Sequence, residues 1–308
     1  MSMPPAVGGF AGYDPPMKYG ICLPNFTDLA SPESIDAAAG VAERLNWETV
    51  WTTDHVLVDR GHNSEDYRTV YDAILTLAWV GARHPGVRLG TSVIVVPQRN
   101  AVVLAKELAS LDVLSGGRVI AGVGVGWNLK EFANLDATDR FRVRGAYLTE
   151  TIAVWRHLWS GSTEPFVGRF HRLEDFVFNP LPAQGASLPI LVGGRAEAAL
   201  KRAGTLGDGY HSSATSPESY AERVPVIRAA AEAAGRPMPA LSARVRVEFD
   251  TTTGSSYAMR GSPEQIAAEV RKFADLGVEQ LALMFAANTG AEIVTNAERF
   301  AAEVVPLV

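Results

Sequence analysis

The chain has 308 residues, enough for one large domain or two small ones, and at 47% hydrophobic it can bury a substantial core. Its formal net charge is −6 with the basic residues scattered, which argues against a nucleic-acid footprint. No apolar run approaches the roughly 18–20 residues of a membrane span, and the single cysteine, Cys22, leaves no internal disulfide and fits a reducing cytoplasm.

Residues Met1 to Pro16 (MSMPPAVGGFAGYDPP) have neither the basic start nor the apolar stretch of a signal peptide, and are expected to form an irregular tail. From there strand-like and helix-like segments alternate. Lys18–Leu23 is a short apolar strand ended by Pro24-Asn25. Ser31–Leu45 is a helix, opened by Ser31-Pro32-Glu33, which supplies a cap, a proline for the first turn and an acid at the positive dipole end. The same tripeptide recurs at Ser216 and at Ser262, where Gln265 completes a capping box. Val50–Thr53 is a second strand running into Asp54-His55. The polar stretch Val58–Arg68 is a loop, and a helix follows from about Tyr71 to Ala82.

Val87–Val96 is the third strand, and Ala101–Leu114 a helix with Leu104, Leu108 and Leu111 on one face. Val119–Val125 is a β-branched fourth strand ending in glycines at 122, 124 and 126 before Trp127. Phe141–Trp159 is a long helix whose Trp155 and Trp159 are expected in the core. Residues 161–184 break the rhythm, with the β-character of a small hairpin. Strands at Pro189–Val192, Gly209–Ser212, Ala243–Asp250 and Gln280–Phe285 alternate with the remaining helices, and a small-residue loop spans Thr251–Gly261. This alternation predicts an α/β fold, a single (β/α)8 TIM barrel over residues 17–308 with an insertion near 161–184. A doubly wound open sheet is the other topology it allows.

Barrel chemistry sits at the C-terminal ends of the strands. Asp54-His55 is the most capable pair there: His55 could transfer a proton near neutral pH, and Asp54 could orient it or accept a cofactor N–H. A turn cap beside a satisfied histidine is the competing reading. His211 has fewer polar neighbours and is expected to be structural, as are His62, His84, His157 and His171. Gly193-Gly194-Arg195 lies between a strand and a helix, where backbone N–H groups and a counter-charge could hold a phosphate. The exit at Gly124, Val125 and Gly126 could do the same, or could be a tightly packed strand end. No metal-ligand spacing and no nucleophile elbow is present, so a bound cofactor is expected to carry the chemistry.

Taken in order, YGICLPNF, WTTDHV, LGTSVIVVP, LAKELASLDVLSGGRVIAGVGVGWNLKEF, PILVGGRAEAALKRAGTLGDGYHSS and GSPEQIAAEVRKFADLGVEQLAL resemble the bacterial luciferase-like monooxygenase superfamily, in its branch of coenzyme F420-dependent oxidoreductases. The resemblance runs from about Met17 to Val305. It implies a deazaflavin at the barrel mouth, packed against a non-prolyl cis peptide whose match here is Ser92-Val93. It implies that Asp54 and His55 lie near the reacting centre, with the cofactor phosphate near Gly124–Gly126 and Gly193-Gly194. Trp127 stands where some sugar-phosphate dehydrogenases of the branch carry a glutamate, which argues against copying their acid–base scheme and favours a stacking or apolar pocket role. The expected activity is hydride transfer between F420 and a small organic substrate in a cytoplasmic homodimer. An FMN-dependent monooxygenase served by a separate flavin reductase, and a non-catalytic cofactor-binding barrel, are the alternatives.

Overall fold

The computed structural model describes residues 17–61 and 67–308. The expected tail over Met1–Pro16, and His62, lie outside the described residues. In chain order the first half contains β1 (Lys18–Cys22), α1 (Pro32–Arg44), β2 (Thr49–Thr52), α2 (Ala73–Arg83), β3 (Arg88–Thr91), β4 (Ile94–Val95), α3 (Ala101–Ser115), β5 (Val119–Gly124), α4 (Leu129–Asn134) and α5 (Thr138–Trp159). The second half contains β6 (Phe166–Val167), β7 (Arg172–Leu173), β8 (Ile190–Gly193), α6 (Glu197–Leu206), β9 (Gly209–Ser213), α7 (Pro217–Ala233), β10 (Ala240–Phe249), β11 (Met259–Gly261), α8 (Pro263–Asp275), β12 (Gln280–Phe285) and α9 (Gly290–Arg299).

Strands β1, β2, β3, β5, β8, β9, β10 and β12 pair in that order, all parallel, and β12 pairs back onto β1. The sheet is therefore closed, and the open-sheet alternative is excluded. The helices surround it, each burying one stripe. Leu104, Leu108 and Leu111 of α3 are buried, and Trp155 and Trp159 of α5 are core, their indole N–H groups donating to Ala101 O (2.8 Å) and Ala105 O (3.2 Å). Inside the barrel Cys22, Trp51, Ile120, Leu191 and Ala282 form their own layer.

The Ser-Pro-Glu starts act as expected: Ser31, Ser216 and Ser262 cap α1, α7 and α8, and Gln265 closes the capping box. Three boundaries differ from the sequence reading. The third strand is broken in two, because the Ser92-Val93 peptide is cis and redirects the chain before β4 rejoins β5. A short helix, α4, started by Asn128, whose side chain accepts from Lys130 N and Glu131 N, lies between the fourth strand and the long helix, where the sequence pattern assigns no element. The small-residue loop contains β11, which pairs with β10 beyond the barrel. In the insertion the hairpin is reduced to β6 and β7, two residues each. The insertion precedes β8, so it belongs to the face opposite the strand C-termini. There Gln184 binds the carboxylate of Asp112 and the carbonyl of Val119 at the start of β5. Among the described residues no helix is long and apolar enough to cross a membrane.

Candidate active site

The mouth is built around the redirected segment 91–95. A Cβ on Gly122 would lie 1.8 Å from Thr91 O, and one on Gly124 2.5 Å from a Val93 methyl. Glycine at these positions gives room to the cis segment, not to a ligand. Gly126 takes a positive φ of 72° and leaves space for Val95 and Phe132. Of the two readings of this strand exit, tight packing accounts for its glycines.

The exit of β8 is different. Gly194 has φ 134°, a conformation that side chains disfavour, and residues 194–198 are exposed. The first turn of α6 has Ala196 at its cap and no side-chain hydrogen bond, a feature it shares with α5, whereas α1, α2, α3, α4, α7, α8 and α9 are side-chain capped. Orphan N–H groups and the positive dipole end thus face solvent beside Arg195. A cavity of about 100 Å³ here is lined by Ser92, Val93, Gly193, Gly194, Arg195, His211 and Ser213. The Arg195 guanidinium donates to Ser213 O at 3.2 Å.

His55 and Asp54 are both buried at the end of β2, but they do not bond each other. The Asp54 carboxylate accepts from Val95 N (2.8 Å) and Arg99 (2.6 Å), so it holds the chain just past the cis bond. The carboxylate on His55 is Glu131 from α4, 3.0 Å from Nδ1. Its other oxygen accepts from Val56 N (2.7 Å) and Leu57 N (3.2 Å). Burial pushes the Glu131 carboxyl up, but the hydrogen bonds from His55 and Val56 outweigh it and hold the group down at about 2. Orientation of His55 therefore falls to Glu131 and not to Asp54. Glu131 was open to view in the pattern Asn128-x-x-Glu131, which resembles an ordinary capping box. Its side chain turns to the histidine instead.

The His55 ring lies edge-on to Tyr67 (4.4 Å) and Trp127 (5.8 Å). Around it Val56, Leu57, Trp127 and Leu129 are each nearly half exposed, an apolar rim on the two loops that Glu131 ties together. Across the mouth a cavity of about 440 Å³ opens between the ends of β1 and β12, lined by Leu23, Phe26, Arg246, Met284 and Asn288 among others.

His211 is sealed inside the barrel. Its Nε2 lies 2.8 Å from Ser92 Oγ, its Nδ1 2.7 Å from Ser242 Oγ, and its ring stacks on Trp51 at 4.6 Å. Burial, helped by the Arg244 guanidinium, pushes it down to about 3, so it is neutral. Arg244 donates to Ser92 O at 3.0 Å. Together His211 and Arg244 brace the residue that begins the cis bond. His211 is structural, as expected, while the role of Arg244 had no signal beyond its place in a strand.

The molecule is thus a parallel eight-stranded barrel with a cis bond in its third strand and an uncapped helix start after its fifth. The model of the luciferase-like monooxygenase family matches residues 17–276, and the chain belongs to that family. It is similar to an F420-dependent glucose-6-phosphate dehydrogenase of Nakamurella multipartita, 30% identical over 292 residues, covering 87% of this chain and 82% of that protein. It is also similar to an F420-dependent hydroxymycolic acid dehydrogenase of Mycobacterium tuberculosis, 32% identical over 215 residues, covering 68% and 57%. Among solved structures, an F420-dependent secondary alcohol dehydrogenase superposes with a TM-score of 0.81 at 17% identity, covering 95% of this chain and 99% of that one. The chain is an enzyme of oxidoreductase class.

Proposed function

We propose that the protein is a coenzyme F420-dependent oxidoreductase acting on a small organic substrate with an apolar body. The observation that carries the cofactor assignment is the uncapped α6 terminus beside Gly193, Gly194 and Arg195, facing Ser92-Val93 across a cavity. That donor set fits a phosphate: backbone N–H groups, a helix dipole and one guanidinium. A flavin phosphate would fit it too, and the F420-dependent relatives favour the deazaflavin. Gly193, Gly194 and Arg195 would hold the phosphate, with Ser92, Val93 and the Gly124–Trp127 segment around the ring. When bound, the deazaflavin supplies hydride-transfer chemistry.

The chain's own residues supply the rest. His55 moves a proton at the substrate. Asp54 acts through Val95 and Arg99 to fix the wall that follows the cis bend. Trp127, Val56, Leu57 and Leu129 exclude water and receive the apolar part of the substrate. The relatives' names include a sugar phosphate as substrate, but this rim favours a less polar one. The proposal includes a homodimer in a reducing cytoplasm, which light scattering and fractionation measure.

Parallel titration of the protein with F420 and FMN, followed by tryptophan fluorescence, tests the cofactor. Micromolar or tighter F420 binding in preference to FMN is expected. Preference for FMN would transfer the assignment to an oxygen-dependent monooxygenase with a partner reductase, and binding of neither would leave a barrel without this chemistry.

A further inference from the structure

We infer that Glu131 is a positioning residue that fixes the proton of neutral His55 on Nδ1, leaving the Nε2 lone pair as the atom that exchanges a proton with the substrate. The inference rests on the reading of His55 as the proton-transfer group and extends it to a residue and an atom.

Neutral imidazole has one N–H, and the nitrogen that carries it is chosen by the partners of the ring. An ionised carboxylate can only accept. Glu131 is 1% exposed and its carboxyl lies well below the ordinary range, so 3.0 Å from Nδ1 it demands a hydrogen there. It cannot swing away, because Val56 N and Leu57 N hold its second oxygen and the cap at Asn128 holds its helix. The other charged groups nearby are engaged elsewhere. Asp54 faces Val95 N and Arg99, and Arg99 is shared with Asp72. Tyr67 and Trp127 meet the His55 ring by their own rings. A proton taken up at Nε2 gives an imidazolium whose Nδ1–H still points at Glu131, and its departure restores the same tautomer. The ring need not turn in either direction of catalysis.

A merely structural Glu131 would tie the loop at residues 56–57 to α4 and do no more. Glu131→Gln separates the two roles. Its amide oxygen can still accept from Val56 and Leu57, but its NH₂ presents a donor to Nδ1 and selects the opposite tautomer. Nitrogen-15 NMR of histidine-labelled protein at pH 8, with Glu131→Asp as companion and His55→Gln to assign the signal, reads the outcome without any substrate. Expected are an Nδ1–H tautomer in the parent, an Nε2–H tautomer in E131Q, and the parental tautomer in E131D. In turnover E131Q should lose about tenfold or more in kcat with little change in KM, while its circular dichroism and F420 affinity stay parental. An Nε2–H tautomer in the parent, or an unchanged tautomer in E131Q, would overturn the inference. Failure of parent and variant alike to bind F420 would instead strike the cofactor assignment and leave the tautomer result standing.

Discussion

His55 follows β2 at the barrel mouth and His211 lies within β9 inside the same barrel, and their surroundings make opposite demands. His55 meets an ionised carboxylate, two aromatic edges and an apolar rim open to solvent. His211 meets two serine hydroxyls, which donate or accept as needed, and lies on Trp51 with a guanidinium close by. The first offers an ionised carboxylate to share the ring proton, and the second disfavours a positive charge. A strand-end histidine in a barrel is thus a candidate for chemistry only when its neighbours can share its proton, and position alone does not tell the two apart.

The comparison breaks most directly at His55. His55→Ala should lower kcat by about 100-fold or more, in the usual range for a lost acid–base group, with F420 affinity unchanged by fluorescence titration. Full turnover with an unaltered pH profile would return His55 to the structural class. At His211 the expected signature is in stability. Its folded value lies near 3, below the ordinary 6.5, so the stabilisation is complete above pH 6.5 and drains away as pH falls toward 3. Glu131, held near 2, adds in the same direction below the ordinary carboxylate range. Urea titrations between pH 7 and pH 5 should show His211→Gln less stable than the parent at pH 7. Its slope with pH should be shallower by roughly 1 kcal/mol per unit on average over that range, approaching about 1.4 at its acid end. Equal slopes would mean that His211 is charged in the fold.

The two glycine-rich exits sharpen the same lesson. Arg195→Ala should weaken F420 binding about tenfold, the size of one charge-assisted contact, and leave the melting temperature alone. Gly124→Ala should do the reverse, lowering the melting temperature by several degrees because its methyl meets Val93 at 2.5 Å, with Val93→Ala relieving part of the loss. Smallest is Trp127→Ala, expected to raise KM for an apolar substrate a few-fold with kcat kept. If it spared apolar substrates and impaired only polar ones, the rim would have been misassigned.

Much of the fold was legible because local signals repeat. Three Ser-Pro-Glu starts, a leucine stripe on α3 and β-branched runs between turns leave little freedom for a chain that must close a parallel sheet. The site was less so. Gly122-x-Gly124-x-Gly126 and Gly193-Gly194 look alike in sequence, and packing crowds both, Val93 and Val95 on the first and Val93 and Ala199 on the second; the second differs in opening onto exposed residues 194–198 and a helix start with no side-chain cap. Glu131 and Asp54 exchange the roles their neighbours suggest. Asp54 is adjacent to His55 in sequence but its carboxylate turns to Val95 N and Arg99, and only the tertiary fold brings Glu131 across. Arg244 gave no local pattern at all, since its partner is the carbonyl of Ser92.

The insertion sits on the far side from all of this. The turn of its hairpin is held by Glu150, which accepts from Arg169 N, Phe170 N and His171 N, and its end by Gln184 on Asp112. Between these two anchors, and remote from the mouth, the exposed residues 174–175 that follow the hairpin are the place where this chain can be lengthened. A peptide tag, a fluorophore or a tether to a surface introduced there would leave the cofactor mouth facing outward, so the enzyme could be immobilised with its chemistry turned toward the solution.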